Sequence, residues 1–295
     1  MRKYRHNLEF QPNWNIAIND FDAIKLNEDV LRGIYINNII SPTNVQELAI
    51  QPIVEGKDTF VVAKEWSGKT VAFCIGILNS IDPKLPKTQS IILLPTREIA
   101  FRTYNIMKSI AQKLNISIEL FICGNNIKED IKKANKKPLI IIGTPGRILD
   151  LIRKNKLKFE SLKIICIKGF ELYLNYLKTV DIIFQSIPND SQKLFFTTIF
   201  NNKLQEFMNK YMKEPIKIKA DLQPPKFNVE QFYIFYHPRT TNKLRIYYQQ
   251  GILEEDILFL QIQLKQLKKF QNILTIILRQ YIFILVLLKF KKNKH

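Results

Sequence analysis

The sequence predicts an α/β protein built on a doubly wound parallel sheet. Six short apolar runs, at 60–63, 90–94, 118–122, 139–142, 164–167 and 193–197, carry four or five residues each, mostly Ile, Val, Leu and Phe, without clean apolar–polar alternation. Strands buried on both faces read this way. Longer amphipathic stretches lie between them, among them 97–114 and 203–212, with helical spacing of their apolar positions. Strand–helix alternation implies right-handed crossovers and therefore parallel pairing.

Taken in order, residues 1–20 are polar and are expected to form a flexible N-terminus. The alternating pattern defines a domain over 21–220, and 221–228, with Pro224 and Pro225, reads as a linker. Beyond it a strand is expected at 229–236, a helix near 242–250 and an apolar run at 257–261. The stretches 273–278 and 281–288 are almost wholly apolar, split by Arg279 and Gln280. A window of 270–288 is about long enough to span a bilayer, but Arg279 near its centre costs roughly 2.5–3.5 kcal/mol on insertion scales. Buried strand and helix are expected there rather than a membrane segment.

The 295 residues leave room for one large domain or two small ones, and 46% hydrophobic with 24% charged residues is ordinary for a core-forming chain. Lys and Arg total 45 against 26 acids, a net charge of +19. Such an excess suits a polyanionic partner, because phosphate backbones reward distributed positive charge; a lysine-rich solvated surface has the same composition. Cys74, Cys123 and Cys166 form no CxxC pair, and His6, His237 and His295 stand apart. Neither a metal site nor a disulfide framework is expected, and a reducing compartment, cytoplasmic or nuclear, fits better. The opening Met-Arg-Lys-Tyr-Arg-His has no apolar stretch, so no secretory signal is expected.

Ser67-Gly68-Lys69-Thr70 follows the first apolar run and opens a helical pattern. A phosphate loop belongs there: backbone N–H groups at a helix N-terminus face the anion, the lysine reaches the outer phosphates, and the hydroxyl of Thr70 is the metal-side group.

Further motifs follow in order. Phe21 precedes Ser41-Pro42-Thr43-Asn44-Val45-Gln46. Pro95-Thr96-Arg97-Glu98-Ile99-Ala100 and Thr144-Pro145-Gly146-Arg147 follow the loop. With Ala63 at the head of the phosphate loop, this series resembles the DEAD-box ATP-dependent RNA helicase family, and Leu31-Arg32-Gly33-Ile34-Tyr35 looks most like its translation initiation factor 4A group. The resemblance implies a RecA-like first domain over 21–220 and an incomplete second RecA-like domain, with an apolar C-terminal tail, over 229–295. It implies ATP and Mg²⁺ as cofactors, and RNA and protein partners of the initiation or exon-junction type. By the same resemblance Gln46 reads the adenine edge, and Ser67, Gly68 and Lys69 hold phosphate, with Thr70 serving Mg²⁺. Pro95, Thr96, Arg97, Thr144, Pro145, Gly146 and Arg147 hold RNA, largely through charge and helix N-termini.

The departures from the family cluster on the hydrolytic chemistry. Glu65 and Trp66 stand inside the phosphate loop, Trp66 in place of a glycine. The Asp-Glu-Ala-Asp tetrad maps to Lys168-Gly169-Phe170-Glu171, the Ser-Ala-Thr motif to Thr197-Thr198-Ile199, and the adenine-side aromatic to Ile39. The family's first Asp positions Mg²⁺ and its Glu aligns the attacking water; Lys168 and Gly169 can do neither. ATP hydrolysis is therefore expected to be lost, with nucleotide binding itself put in question. Glu171 and Thr197 are expected to keep the family's contact between these two motifs. An ion pair between Glu65 and Lys168, with Trp66 over or into the cavity, would close the site; the rivals are Lys168 standing in for the metal and both side chains pointing independently into solvent. Three readings stay open: an RNA- or partner-binding protein without turnover, a working helicase as in the family, and a truncated product without function.

Overall fold

Seven strands pair in parallel in the order β3-β4-β2-β5-β6-β1-β7: β1 (Thr59–Ala63), β2 (Ser90–Leu93), β3 (Ile118–Phe121), β4 (Ile140–Gly143), β5 (Ile164–Lys168), β6 (Gln192–Thr197) and β7 (Ile216–Ala220). The structure is a computed structural model and describes residues 10–173, 177–220, 229–236, 257–263 and 283–290. Eight helices accompany the sheet among the described residues: α1 (Glu28–Ile36), α2 (Asn44–Val54), α3 (Lys69–Ser80), α4 (Arg97–Ile110), α5 (Ile127–Asn135), α6 (Pro145–Arg153), α7 (Leu177–Gln185) and α8 (Asn202–Tyr211).

The apolar runs lack alternation because each strand serves two cores. Val61, Ile92, Ile142, Cys166 and Phe196 face one apolar layer together with α1 to α4. Their neighbours Phe60, Ile91, Ile141, Ile165 and Phe195 face the other, against α6, α7 and α8. On that second face Phe170 stacks on Phe195 at 6.1 Å and lies 4.9 Å from Phe207. The predicted strands and the doubly wound class hold.

Two elements differ from expectation. β7 alternates, with Ile218 and Ala220 buried and Lys219 exposed, so it carries no continuous apolar run. Residues 10–20, expected to be flexible, are anchored. Phe10 is buried, with its ring 5.6 Å from Phe60 and 4.9 Å from Phe200. Asn13 N donates to Lys217 O at 3.1 Å, and its Oδ1 accepts from Lys217 N at 2.6 Å. Polar composition concealed the few apolar and amide groups that make these contacts.

The chain divides near Gln223 into two units. In the second, β8 (Val229–Tyr236), β10 (Phe283–Phe290) and β9 (Ile257–Gln263) pair antiparallel in that order. The expected linker 221–228 and helix 242–250 lie outside the described residues, as does most of the apolar window 270–288. Among the described residues no helix is long and apolar enough to cross a membrane.

One close approach fixes how α1 meets α4. A Cβ built on Gly33 lies 1.9 Å from the carbonyl oxygen of Ile110. Only glycine allows this contact, since the obstacle is backbone and cannot rotate away. Gly33→Ala is expected to destabilise by about 1–3 kcal/mol, the usual cost of overpacking. Urea unfolding checks it: the midpoint falls while the slope is unchanged.

Candidate functional site

The phosphate-loop, Pro95, Thr144, Lys168 and Thr197 motifs all lie at the carboxyl edge of the sheet. The phosphate loop follows β1, the Pro95 motif follows β2, the Thr144 motif follows β4, Lys168 ends β5 and Thr197 ends β6. Ligands of open α/β sheets bind along this edge.

Two cavities open there. The first, about 300 Å³, is lined by Trp66, Lys69, Thr70, Arg102, Lys168 and Glu171, among others. Its loop has lost a glycine and kept the glycine's shape. Trp66 holds φ 65° and Gly68 φ 97°, both in the left-handed region, which costs a non-glycine residue of order 1 kcal/mol. The Trp66 side chain is exposed and carries the Arg102 guanidinium 4.2 Å from its ring centroid. Gly68 fits because a Cβ there would lie 2.4 Å from the Thr43 hydroxyl and 2.7 Å from Gln46 Nε2.

Gln46 is buried and spends its amide inside the protein. Its Oε1 accepts from Thr43 N at 2.9 Å, and its Nε2 donates to Gly68 O at 3.4 Å. Thr43 Oγ1 donates to Ser67 O at 2.9 Å, and Ser67 Oγ donates to Lys64 O at 2.7 Å. Phe21 is fully buried in the core and Ile39 is half-buried against it.

Lys69, opening α3, is buried and donates to the carbonyl oxygens of Ala63 and Lys64. Burial pushes its ammonium down to about 8, and the Lys168 charge adds to the effect. Lys168 is likewise pushed down, chiefly by burial. Its Nζ donates to Thr70 Oγ1 at 2.6 Å.

The expected Glu65–Lys168 closure is therefore corrected. Glu65 is exposed, and among the described residues Lys168 has no carboxylate at salt-bridge distance. The hydroxyl of Thr70 was the nearer partner, and the cavity stays open beneath Trp66. Gly169 takes φ 75° and donates its N–H to Phe196 O at 2.8 Å. Phe170 is core. Glu171 accepts from Thr197 Oγ1 and Thr198 Oγ1, both at 2.6 Å, so the β5 and β6 ends are tied together as the resemblance implied.

The resemblance assigns Mg²⁺ to Thr70. The hydroxyl that would serve it already accepts from an ammonium at 2.6 Å, and a dication placed there would meet a like charge. No group of three His, Cys, Asp or Glu side chains with metal-ligand spacing occurs among the described residues.

The second cavity, about 360 Å³, brings together the two remaining motifs: Pro95, Thr96, Arg97, Thr144, Pro145 and Gly146 all line it. Thr96 caps α4 by accepting from Ile99 N at 3.3 Å. Arg97 is exposed, and Gly124 is the residue that leaves it room: a Cβ there would lie 2.4 Å from an Arg97 nitrogen. Thr144 Oγ1 accepts from Cys123 N at 3.4 Å.

Arg147 does not join them at the surface. It is 7% exposed, pairs with the buried Asp130 at 3.0 Å and donates to Asn125 O at 2.7 Å. The expectation that its guanidinium faces a ligand is corrected, because the buried carboxylate of Asp130 on α5 claims it. Sequence reading also missed Arg102, Cys123 and Tyr173, all cavity-lining. They belong to no motif, and no periodicity marks them.

A phosphate loop between the first strand and its helix, on a parallel sheet whose other motifs share the same edge, defines a P-loop nucleotide-binding domain. The chain belongs to the DEAD/DEAH box helicase family, whose model matches residues 43–207. It is 31% identical over 229 residues to the ATP-dependent RNA helicase eIF4A of Mycosarcoma maydis, covering 77% of this chain and 56% of that protein. The Neurospora crassa eIF4A is also 31% identical, with 77% and 58% covered. The chain thus spans a little over half the length of these relatives. Among solved structures it resembles a DEAD box protein from Methanococcus jannaschii (TM-score 0.68, 26% identity, 81% of this chain and 65% of that one). It shares the fold of S. cerevisiae Dbp5 bound to RNA and ADP BeF3 (TM-score 0.61, 24% identity, 70% and 52% covered).

Proposed function

We propose that this chain is an RNA-binding protein of the eIF4A type that holds a nucleotide at its phosphate loop without hydrolysing it. One observation carries the reading. Lys168 ends β5 and Gly169 follows it, where the family's metal-positioning and water-aligning acids stand, and Lys168 is bonded to Thr70. Hydrolysis needs a neutralised triphosphate and an aligned water, and these residues supply no group for the second task. The second cavity offers phosphate an exposed Arg97 and two helix N-termini, those of α4 and α6, without the Arg147 guanidinium. RNA is the partner these groups suit, in a cytoplasmic or nuclear setting, with protein partners of the initiation or exon-junction type a further part of the reading.

The deciding experiment measures RNA binding and phosphate release side by side. Salt-sensitive RNA binding without release supports the reading; release at enzymatic rates, or no RNA binding, overturns it. Arg97→Ala is expected to weaken RNA binding and to reduce the slope of log affinity against log salt by about 1, as loss of one phosphate contact does.

Cys123 offers a check on location. It is exposed and lines the RNA-side cavity, whereas Cys74 and Cys166 are buried. Bound RNA is expected to slow alkylation of Cys123 severalfold, read by mass spectrometry. An unchanged rate would move the RNA site elsewhere.

A further inference from the structure

We propose that the ammonium of Lys168 is a built-in replacement for the divalent metal at the nucleotide site, so that the chain binds metal-free nucleoside polyphosphate and is opposed, not aided, by Mg²⁺. This rests on the reading of the first cavity as a nucleotide site.

The argument begins with charge. Lys69, Lys168 and Arg102 line one cavity of about 300 Å³ together with Glu65 and Glu171, so cations outnumber acids there. Among the described residues none of the three has a carboxylate at salt-bridge distance. Two of them are ammoniums taken out of water, a state that costs free energy unless an anion relieves it. Each also lies in the field of the other, so a polyanion between them relieves both.

Position gives the second part. Lys168 Nζ sits 2.6 Å from Thr70 Oγ1, beside the N-terminus of α3, a helix of 12 residues. Phosphates held by the loop's backbone N–H groups therefore come to rest between Lys69 on one side and Lys168 on the other. A lysine is a compact point charge with three donors and suits phosphate oxygens in this role. A metal–nucleotide complex would bring a dication to a place that already holds a cation. Free nucleotide brings only the anion.

The occupant is thus a nucleoside di- or triphosphate without metal. Inorganic polyphosphate shares its charge but not its base, and the two are told apart by competition. Lys168→Gln keeps a donor for Thr70 and removes the charge. Lys168→Asp restores an acid at the end of β5.

The experiment is equilibrium binding of radiolabelled ATP to the full chain, with EDTA or with excess Mg²⁺, for the parent and both variants. Thermal unfolding of each variant is followed in parallel. Binding in EDTA is expected, weakened about tenfold (~1.4 kcal/mol) by Mg²⁺ and by Lys168→Gln, with the preference reversed in Lys168→Asp. Excess unlabelled ATP should displace the label better than tripolyphosphate does. ATP that binds only with Mg²⁺ overturns the replacement while leaving a non-hydrolysing nucleotide site in place. ATP that binds in EDTA but is hydrolysed when Mg²⁺ is added overturns both the replacement and the proposed function. No ATP bound under either condition overturns the replacement, with RNA binding then judged separately. Should Lys168→Asp melt at a lower temperature, Lys168→Gln and the EDTA comparison in the parent decide alone.

Discussion

Purified protein given ATP, Mg²⁺ and RNA is expected to release no phosphate above background. A working site lowers the barrier by neutralising the transferring phosphoryl group and by holding water in line with it, and losing both removes orders of magnitude in rate. Here Lys168 stands where the family has its metal-positioning acid, and the residue after it has no side chain. Glu171 cannot substitute as a water-aligning base while its two oxygens accept from Thr197 and Thr198. Nor is the loss easily reversed. Gly169 holds φ 75°, a conformation that a restored glutamate would leave, and Lys168→Asp alone returns no base. Turnover of even about 1 s⁻¹, the low end for working enzymes, would overturn this account. Phosphate release with and without RNA is the measurement, and RNA should not stimulate it.

The largest loss of stability is expected from Arg147→Ala. Arg147 and Asp130 are 7% and 1% exposed and pair at 3.0 Å. Removing one partner of a buried pair leaves the other charge unpaired, at about 3–5 kcal/mol. The pH dependence identifies the cause. Burial already pushes the Asp130 carboxyl up, against the pull of Arg147. An acid raised in the folded state penalises folding above its folded pKa, and the penalty disappears below its unfolded value of about 3.9. Without Arg147 the carboxyl rises further. The deficit relative to the parent is therefore largest near neutral pH and shrinks on acidification towards that value. Paired urea unfolding curves at neutral and mildly acid pH check it, and adding Asp130→Asn should recover part of the loss. A deficit independent of pH would assign the effect to lost packing instead. The same result bears on RNA measurements, since weak binding by Arg147→Ala would report folding rather than contact.

The sheet was legible because burial on both faces leaves a plain mark: a short run of Ile, Val, Leu and Phe bounded by polar residues. β7 escaped because it faces the core with alternate residues only, and Ile216, Ile218 and Ala220 are separated by lysines. The motif positions were equally legible, since the end of a strand and the start of a helix fix where Lys69, Arg97 and Thr144 stand. What the motifs could not convey was which partner each side chain takes. Arg147 looked free at a helix start until Asp130, on another helix, claimed it. Lys168 and Glu65 looked complementary, yet Thr70, 98 positions from Lys168, lies closer. Contacts of that kind depend on how strands and helices assemble, and no local spacing encodes them. The N-terminal segment shows the same limit, since its anchors are a few side chains in a polar stretch.

The hold of Asn13 on Lys217 bears on how copies of the protein behave towards one another. β7 stands at the end of the strand order, and a terminal strand offers unpaired amides to any extended chain that drifts past. Asn13 engages both backbone groups of Lys217 and also donates its amide to Pro215 O at 3.1 Å. A borrowed strand thus finds this stretch of the rim taken, and the lysines of β7 add like-charge repulsion. Residues that contribute nothing to either cavity thus guard this one rim of the sheet, while β3 forms the other.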